Sequence, residues 1–333
     1  MSGENVRVGV AGTGHLGAIH TKLWKHCEGA ELAGIFDADS SRAAAVAAEY
    51  GVQAFGTLEE LIAACDALTI AAPTSAHFAI AQAGLSAGKH CFIEKPVTAS
   101  YAEAGILIEQ AERRRLVIQV GHVERFNPGI VSLAGYGIAP MFIEAHRLAQ
   151  FKPRATDVSV VLDLMIHDLD IVLWLVDSPV KSVAAHGVSV LTDTTDIANA
   201  RVTFANGCVA NITASRISAQ PMRKLRMFQR DAYISVDFAR GESEIYRLAD
   251  ASHPPAARAA RLGSIETGAR NVTIVYEKPD APPVNAIAEE QRAFIASVRA
   301  GAPVAVSARE AAEALRLAEL IAAEIAGQGV DLR

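Results

Sequence analysis

Short apolar segments alternate with alanine-rich segments through the first 122 residues. The apolar segments read VRVGVAG, ELAGIFD, ALTIAAP, HCFIEK and LVIQVGH, while SSRAAAVAAEY and SAHFAIAQAGLSAG between them have helical periodicity. Strands that are apolar along their whole length and alternate with helices are typical of a parallel sheet with helices on both faces. We therefore predict an α/β domain over residues 1–122, which binds its ligand at the carboxyl ends of the strands.

The hydrophobic period changes to two beyond residue 122. The alternating segments are MFIEAHRLA, VKSVAAHGVSV, ANARVTFANGCVANITASRIS, KLRMFQRDAYISVDF, SEIYRLAD and NVTIVYEK. Asn206-Gly207 lies between two such runs and predicts a hairpin with a type I′ turn. We predict an α+β domain over residues 123–333 with a large, mostly antiparallel sheet. Its two terminal amphipathic helices, around Gly301 and Pro303, are free to pack back on the first domain.

Two further expectations concern the second domain. The segment ASHPPAARAARLGSIETGAR is rich in Ala, Arg and Pro and is predicted to be a surface loop. A helix predicted at residues 160–176, which crosses the sheet, and the two terminal helices can together cover only one face of the sheet. An apolar second face would therefore predict a homodimer or homotetramer formed through the sheet.

The crossing helix is the segment VVLDLMIHDLDIVLWLV, residues 160–176, which is apolar except for four ionisable side chains. It is too short and too charged to span a membrane. At 100° per residue, Asp163, His167 and Asp170 share one face, and Trp174 is assigned with the aliphatic residues to the rest. That polar stripe is expected to face a cavity or another polar element.

Composition narrows the classes of partner. The net charge of −6 is spread without a basic block, so neither nucleic acid nor a membrane surface is expected, and a small molecule is the predicted ligand. Cys27, Cys65, Cys91 and Cys208 are isolated and form no CxxC pair. They are interpreted as buried thiols in the reducing cytoplasm, and the start of the chain has no signal-peptide pattern.

A glycine motif follows the first predicted strand. Gly12, Gly14 and Gly17 form GxGxxG at the start of a helix, and Asp37 ends the second strand. The first glycine permits a tight turn, the second lets the backbone approach a pyrophosphate, and the third packs helix on strand. A carboxylate at position 37 would accept hydrogen bonds from a ribose hydroxyl and repel a 2′-phosphate, which favours NAD over NADP. Arg42, which could reach a phosphate, leaves NADP open.

Two further motifs lie at ends of predicted strands. AAPTSAHF contains Thr74 and His77, which are equally consistent with a helix cap and surface histidine or with one wall of a nicotinamide site. In CFIEKPV, Pro96 keeps Lys95 out of the helical region and displays it at the carboxyl end of its strand. A surface Glu-Lys pair is the usual interpretation of such a dipeptide, but this pair lies where the ligand cleft is predicted.

These motifs, in this order, resemble the glucose–fructose oxidoreductase and inositol dehydrogenase family (Gfo/Idh/MocA) over essentially the whole chain. The resemblance implies an NAD-binding Rossmann domain, a strand-rich substrate domain, and catalysis by Lys95, Asp163 and His167. With the motifs above, it leads us to assign cofactor contacts to Gly12, Thr13, Gly14, His15, Leu16, Gly17, Asp37, Arg42, Ala72, Pro73, Thr74, His77, Glu94 and Lys95.

The chemistry of alcohol oxidation makes these catalytic residue types plausible. Removal of the hydroxyl proton needs a base, and histidine is the residue type that ordinarily changes charge near working pH, so His167 is assigned as the base. Asp163, one turn earlier, would orient the imidazole, and Lys95 would stabilise developing alkoxide charge. The competing use of Asp163 and His167 is a zinc site, but the sequence offers no clear third and fourth ligands, and no metal is predicted.

The substrate is less constrained than the reaction. GHVERFNP and HRLAQFKPRATDVSVVLDLMIHDLDIV resemble a subgroup acting on nucleotide-activated amino sugars, such as UDP-N-acetylglucosamine in lipid A precursor synthesis. Arginine forks suit a diphosphate, so substrate contacts are assigned to Arg125, Asn127, Arg147 and Arg154. An interface or surface role for these residues remains open. The alternatives are an inositol or free-sugar dehydrogenase and a non-catalytic NAD-binding regulator.

Overall fold

The computed structural model describes residues 5–152, 158–249, 259–267 and 270–328. The chain divides into two compact units. The first consists of Met1–Val123 and Val284–Arg316, and the second of Glu124–Pro283 and Leu317–Arg333. The segment from Val284 to Arg316 therefore belongs to the same unit as the N-terminal residues.

A five-stranded parallel sheet forms the centre of the first unit, in the order β2-β1-β3-β4-β5. Its strands are β1 (Val6–Ala11), β2 (Ala30–Phe36), β3 (Ala67–Ile70), β4 (His90–Glu94) and β5 (Ile118–Gly121). The helices that alternate with them are α1 (His15–Trp24), α2 (Ser40–Tyr50), α3 (Leu58–Ala64), α4 (Thr74–Ser86) and α5 (Tyr101–Arg114). This architecture confirms the predicted α/β fold with its five strands.

A nine-stranded sheet forms the centre of the second unit, in the order β13-β14-β12-β11-β10-β6-β9-β8-β7. Every neighbouring pair is antiparallel except β6 and β9, which are parallel. Helix α6 (Pro128–Val131) precedes the sheet, and α7 (Ile166–Val176) follows its first strand. The strands are β6 (Phe142–Leu148), β7 (Val180–Val188), β8 (Ile197–Phe204), β9 (Val209–Ser215), β10 (Met222–Phe228), β11 (Ala232–Asp237), β12 (Glu242–Ala249), β13 (Ala260–Thr267) and β14 (Arg270–Glu277).

Helix α7 packs on one face of this sheet. Alternate residues of the central strands, such as Ile143 and Ala145 of β6, point to that face and are fully buried with Leu169 and Val172 of the helix. A period-two strand pattern and an apolar helix thus share one core. The mostly antiparallel sheet and its crossing helix confirm the α+β prediction.

Two local predictions in this unit are wrong. Part of the expected surface loop is strand β13, which pairs along β14, and Gly263 lies at an irregularity in that pairing. The hairpin at Asn206-Gly207 is present, but Gly207 alone of the two has a positive φ, 88°. Phe204 pairs with Cys208 around a three-residue connection, as in a turn that ends in a left-handed glycine rather than a type I′ turn.

Two helices close the chain. Helix α8 (Ala286–Ala300) starts at Asn285, whose side chain accepts two backbone N–H bonds, and ends at Gly301 with φ 65°. Its Phe294 makes edge contacts with Trp24 and Phe92 in the core of the first unit. Helix α9 (Ala308–Gln328) begins in the first unit and ends in the second. Among the helices of the described ranges, none has the length and apolarity needed to cross a membrane.

A buried carboxylate organises the loop between β7 and β8. Asp196 accepts bonds from the backbone N–H groups of Val190 (2.8 Å), Leu191 (2.6 Å) and Thr192 (3.0 Å), and from the Thr192 hydroxyl at 2.8 Å. The neighbouring Thr195 carbonyl accepts from Val160 N–H, where the helical segment begins. Burial alone would raise the pKa of Asp196, but these donors lower it to about 2.

We predict that Asp196→Asn destabilises the protein by about 2 kcal/mol at pH 7, since the lowered pKa reports preferential binding of the ionised form. The depressed value means that this contribution is complete above about pH 4 and is lost as pH falls through about 2. Urea unfolding of both proteins over this pH range measures the difference. Asp193→Asn, at an exposed position in the same loop, is the control. A stability difference that does not narrow in acid would contradict the assignment.

Candidate active site

The glycine turn after β1 meets three separate geometric demands. Gly12 has φ +90°, and a Cβ there would lie 2.5 Å from the backbone nitrogen of Ala72. A Cβ on Gly17 would lie 1.9 Å from the Gly12 carbonyl oxygen, so helix and turn require its absence. A Cβ on Gly14 would meet nothing within 4 Å. Gly14 therefore borders open space at the N-terminus of α1, where a phosphate could approach the backbone.

Asp37 is tied to this turn. Its carboxylate accepts from the Thr13 backbone N–H at 2.7 Å, from the Thr13 hydroxyl at 2.9 Å and from Asp39 N–H at 2.9 Å. Burial would raise the pKa of Asp37, but these bonds and nearby Arg42, 3.6 Å away, lower it. The end of β2 therefore presents a fixed negative charge near neutral pH.

A cleft of about 290 Å³ opens between these elements. Its lining includes six residues assigned to the cofactor from sequence: Gly12, Gly14, Asp37, Arg42, Ala72 and Pro73. Five further lining residues were not predicted as cofactor contacts from the sequence: Phe36, Ala38, Ala71, Ala76 and Ile80. The missed residues are small or apolar, and only the i, i+4 spacing of Ala76 and Ile80 on α4 could have indicated a shared apolar wall. A negatively charged rim beside such a wall suits the ribose and base of a dinucleotide.

The other predicted cofactor residues have different positions. His15 and Leu16 are exposed in the first turn of α1, and Thr74 starts α4. His77 is buried, and its ring nitrogens lie 2.9 Å from the carbonyl oxygens of Ala72 and Pro96. Burial lowers the pKa of His77. This side chain thus links the end of β3 to the turn after β4.

That turn carries Lys95, which is half-buried and joined to Pro96 by a cis peptide bond. The preceding Glu94 is buried, and its carboxylate lies 2.7 Å from the His20 ring. Burial would raise the pKa of Glu94, but His20 and the Lys95 charge lower it. The end of β4 therefore carries the ionised Glu94 carboxylate, and Lys95 follows it in the turn.

In the second unit, the predicted helix consists of a π-helical turn, Val161–Met165, followed by α7. Asp163 lies in the wide turn and His167 in the first turn of α7, and both are half-buried. Wide turns of this kind occur often at functional sites. Trp174, assigned from the sequence to the apolar part of the helix, is 43% exposed, and the Arg125 guanidinium carbon lies over its ring, 5.5 Å from the ring centroid. A cavity of about 490 Å³ lies beside this pair.

The remaining acids of α7 form buried ion pairs. Arg125 donates to both oxygens of Asp170, at 2.9 and 2.6 Å. Arg147 donates to Asp168 at 2.9 and 3.0 Å and to Glu124 at 2.8 Å. Burial would lower the pKa of Arg147, but the two carboxylates raise it, so the guanidinium stays charged.

These pairs bear on the predicted substrate contacts. The guanidinium groups of Arg125 and Arg147 already have carboxylate partners that satisfy them without a ligand, and they hold α7 in place. Asn127 caps α6 and also donates to Glu124 and to the Phe238 carbonyl. Arg154 lies outside the described residues. The diphosphate contact predicted for these four residues stays a prediction, with a structural role evident for three of them.

Comparison with known proteins follows the same division of the chain. Residues 6–122 match the family described as "Oxidoreductase family, NAD-binding Rossmann fold", and residues 141–236 match the GFO/IDH/MocA C-terminal domain. UDP-N-acetylglucosamine 3-dehydrogenase of Acidithiobacillus ferrooxidans is 42% identical over 302 residues, which cover 90% of this chain and 91% of that protein. The chain belongs to the Gfo/Idh/MocA family. It is therefore an NAD-binding oxidoreductase, which confirms the resemblance found in its motifs.

One further relative and two solved structures are also similar to this chain. Inositol 2-dehydrogenase of Cereibacter sphaeroides is 32% identical over 181 residues, covering 52% of this chain and 54% of that protein. A solved structure of UDP-N-acetylglucosamine 3-dehydrogenase from Acidithiobacillus ferrooxidans has a TM-score of 0.87 and 38% identity, covering 97% of this chain and 98% of its own. A solved structure from Sinorhizobium meliloti, described as that of "a putative myo-inositol dehydrogenase", shares the fold at 22% identity and a TM-score of 0.77, covering 97% of this chain and 98% of its own.

We predict that alanine at Gly17 mainly lowers stability, whereas alanine at Gly14 mainly lowers NAD affinity. Gly17→Ala should cost about 3 kcal/mol of stability because its Cβ collides with the Gly12 carbonyl. Gly14→Ala should cost less than about 1 kcal/mol, as expected at a helix N-cap, but should weaken NAD binding because the methyl group occupies the open approach. Thermal unfolding and fluorescence titration with NAD separate the two. Wild-type NAD affinity in Gly14→Ala would show that the cofactor approaches elsewhere.

Proposed function

We propose that the protein is an NAD-dependent dehydrogenase that oxidises the 3-hydroxyl of UDP-N-acetylglucosamine to a ketone. The observation that carries this proposal is the 42% identity to an enzyme of that name over nine-tenths of both chains. The inositol dehydrogenases match only about half of this chain. A place in lipid A precursor synthesis stays a prediction from the motifs.

The cofactor residues fit NAD better than NADP. The cleft rim carries the ionised Asp37, whose two oxygens are held by backbone and hydroxyl donors. A carboxylate there accepts from a free ribose hydroxyl and repels a phosphate on it. Arg42 is already close to both Asp37 and Asp39, at 3.6 and 3.2 Å, so part of its charge is offset. NAD, when bound, supplies the acceptor for the hydride that leaves the sugar carbon.

We assign the proton chemistry to the helical segment of the second unit. His167 would act as the base that takes the hydroxyl proton, because an imidazole changes charge near neutral pH. Asp163, one turn earlier, would orient the imidazole and stabilise its cation. The buried pairs of Asp168 and Asp170 with arginines anchor the helix that carries both residues.

We assign stabilisation of the substrate oxygen to Lys95. Its ammonium group would donate to the oxygen as negative charge develops there. The turn that carries Lys95 is held by the contact of the His77 ring with the Pro96 carbonyl and by the buried Glu94. Lys95 belongs to the first unit and the Asp163/His167 pair to the second.

We predict that Lys95→Met and His167→Gln each lower kcat by about 10² to 10⁴, as loss of a positioned acid, base or charge does, while NAD binding persists. Nicotinamide fluorescence with NAD and NADP, against UDP-N-acetylglucosamine, myo-inositol and glucose, measures turnover. Lys22→Met and His26→Gln, at exposed positions, are the matched controls.

Each outcome separates one alternative. Turnover with the nucleotide sugar and NAD supports the proposal. Turnover with myo-inositol or glucose alone would replace UDP-N-acetylglucosamine as the proposed substrate. A preference for NADP would replace NAD as the proposed cofactor. Near-normal turnover in both variants would remove the catalytic assignment. Absence of turnover while NAD still binds would favour a regulator.

We also propose that the protein is a homo-oligomer formed through the sheet face opposite α7. Five aromatic rings cross that face on neighbouring strands, with centroids 5.0 to 5.9 Å apart: Phe142, Phe228, Tyr233, Tyr246 and Tyr276. Phe228 is 37% exposed. In a two-fold dimer this row would meet its own copy, which suits a surface that is apolar in one band and polar beside it. The free cysteines agree with a reducing compartment, and we propose the cytoplasm.

We predict that Phe228→Lys dissociates this oligomer, because the added charge would be buried without a partner. Light scattering measures the mass of wild type and variant. Ile106→Lys, at an exposed apolar position in the first unit, is the control. A monomeric wild type, or an oligomer that Phe228→Lys leaves intact, would contradict the proposed interface.

A further inference from the structure

A buried cluster of polar side chains lies beneath the Lys95 turn, entirely within the first unit. It contains His20 of α1, Glu94 at the end of β4, and Glu290 and Gln291 of α8. His20, Glu290 and Gln291 are fully buried, and Glu94 is 8% exposed. One ring nitrogen of His20 and one carboxylate oxygen from each glutamate all lie within 4.8 Å of one another.

The hydrogen bonds determine the protonation of His20. Gln291 Nε2 lies 3.0 Å from His20 Nδ1 and 3.3 Å from the His20 carbonyl oxygen. An amide nitrogen only donates, and its contact with a carbonyl fixes the orientation of the amide, so Nδ1 accepts. The ring proton is then on Nε2, which donates to Glu94 at 2.7 Å. His20 is therefore neutral, and Glu94 carries the negative charge.

Glu290 has a different environment from Glu94. Its backbone carbonyl accepts from Gln119 Nε2 at 2.7 Å, but neither side-chain oxygen has a hydrogen-bond partner, and both are buried. Burial raises the pKa of Glu290 well above its ordinary value, and the charge on Glu94 raises it further. Glu290 therefore keeps its proton while the nearby Glu94 is ionised.

We propose that Glu290 is a positioning residue: a buried, neutral carboxylic acid that lies beside the ionised Glu94 without repelling it, confines the Glu94 carboxylate and thereby fixes the Lys95 turn. The proposal rests on the proposed function, in which Lys95 acts on the substrate. Glu94 is confined on several sides, by His20, by Glu290 and by Gly121, where an added Cβ would lie 3.1 Å from the Glu94 carboxyl carbon. A carboxylate held in this way limits where the next residue, Lys95, can stand.

A metal ion is the competing occupant of the cluster. Within the part of the chain that the structure describes, His20, Glu94 and Glu290 form the one group of three side chains close enough to share a metal. Both ring nitrogens of His20 are engaged, however, Nε2 as donor and Nδ1 as acceptor, so no lone pair is left for a cation. A proton retained on Glu290 therefore accounts for the cluster better than a metal.

The first test concerns the proton and needs no substrate. A raised folded-state pKa means that stability falls as pH rises from the ordinary carboxyl range through that higher value, because the unfolded state releases the proton first. Glutamine does not titrate, so the stability of Glu290→Gln relative to wild type should increase as pH rises above the ordinary carboxyl range. Infrared spectroscopy at neutral pH should show a protonated-carboxyl band that this variant loses. Glu289→Gln, the adjacent and partly exposed position, should change neither measurement.

The second test concerns Lys95. Glu290→Leu replaces the neutral polar group beside Glu94 with a branched apolar one and should lower kcat by about tenfold to a hundredfold with little change in NAD affinity, as a misplaced catalytic group does. Glu290→Gln keeps a neutral polar group of the same shape beside Glu94 and should keep turnover within about threefold of wild type, since the geometry is kept.

The outcomes identify which part fails. If Glu290→Gln is less stable than wild type at all pH values and a chelator destabilises the wild type, the cluster holds a metal and the claim that Glu290 is protonated is wrong. Equal turnover in Glu290→Leu and wild type would overturn the positioning role. Absence of turnover in wild type would instead count against the proposed function, while the stability and infrared results would still decide the state of Glu290.

Discussion

The structure depends on giving each buried charged side chain an ion-pair or hydrogen-bond partner. An unpaired buried ion costs several kcal/mol, so an ionisable group can occupy a core only with a partner that satisfies it. Arg125 and Arg147 meet this condition with the acids of α7, and His20 meets it for Glu94. These pairs carry little net stabilisation, but breaking one leaves a charge behind, so they define where each element can lie.

The two units compensate their buried charges in different ways. In the second unit, oppositely charged groups compensate each other directly, and the result is a helix fixed in position along one face of a sheet. In the first unit, two acids and a neutral imidazole lie together, so compensation comes from a retained proton. Asp37 is a third case, in which a carboxylate is stabilised by backbone and hydroxyl donors.

Much of the fold could be predicted from local pattern. Continuous apolar strands indicated the parallel sheet, period-two segments indicated the second sheet, and the spacing of Gly12, Gly14 and Gly17 indicated the turn. The errors also had local causes. Strand β13, ARLGSIET, shows weak alternation of apolar and polar residues, and pairing with β14 rather than its own pattern makes it extended. The turn type at Asn206-Gly207 depends on loop length, which the dipeptide alone does not specify.

The candidate site was less accessible, since its parts come from distant positions. Arg125 and Arg147 were recognisable as arginines suited to phosphate, but their carboxylate partners could not be identified from spacing. The link of His20 and Glu94 to Glu290 brings together two ends of the chain, and nothing near Glu290 in the sequence marks it. Short motifs reveal groups that would touch a ligand, whereas the groups that hold them in place become visible only in three dimensions.

The parallel pair β6 and β9 has a consequence for the chain that joins them. Strand β7 lies three positions from β6 in the sheet, a span of about 14 Å at ordinary strand spacing. The chain between β6 and β7 contains the helical segment that carries His167, and α7 packs against β6 and β9. The proposed base therefore lies on a topological connection of the sheet, so an insertion or deletion in this segment would disturb that connection as well as the site.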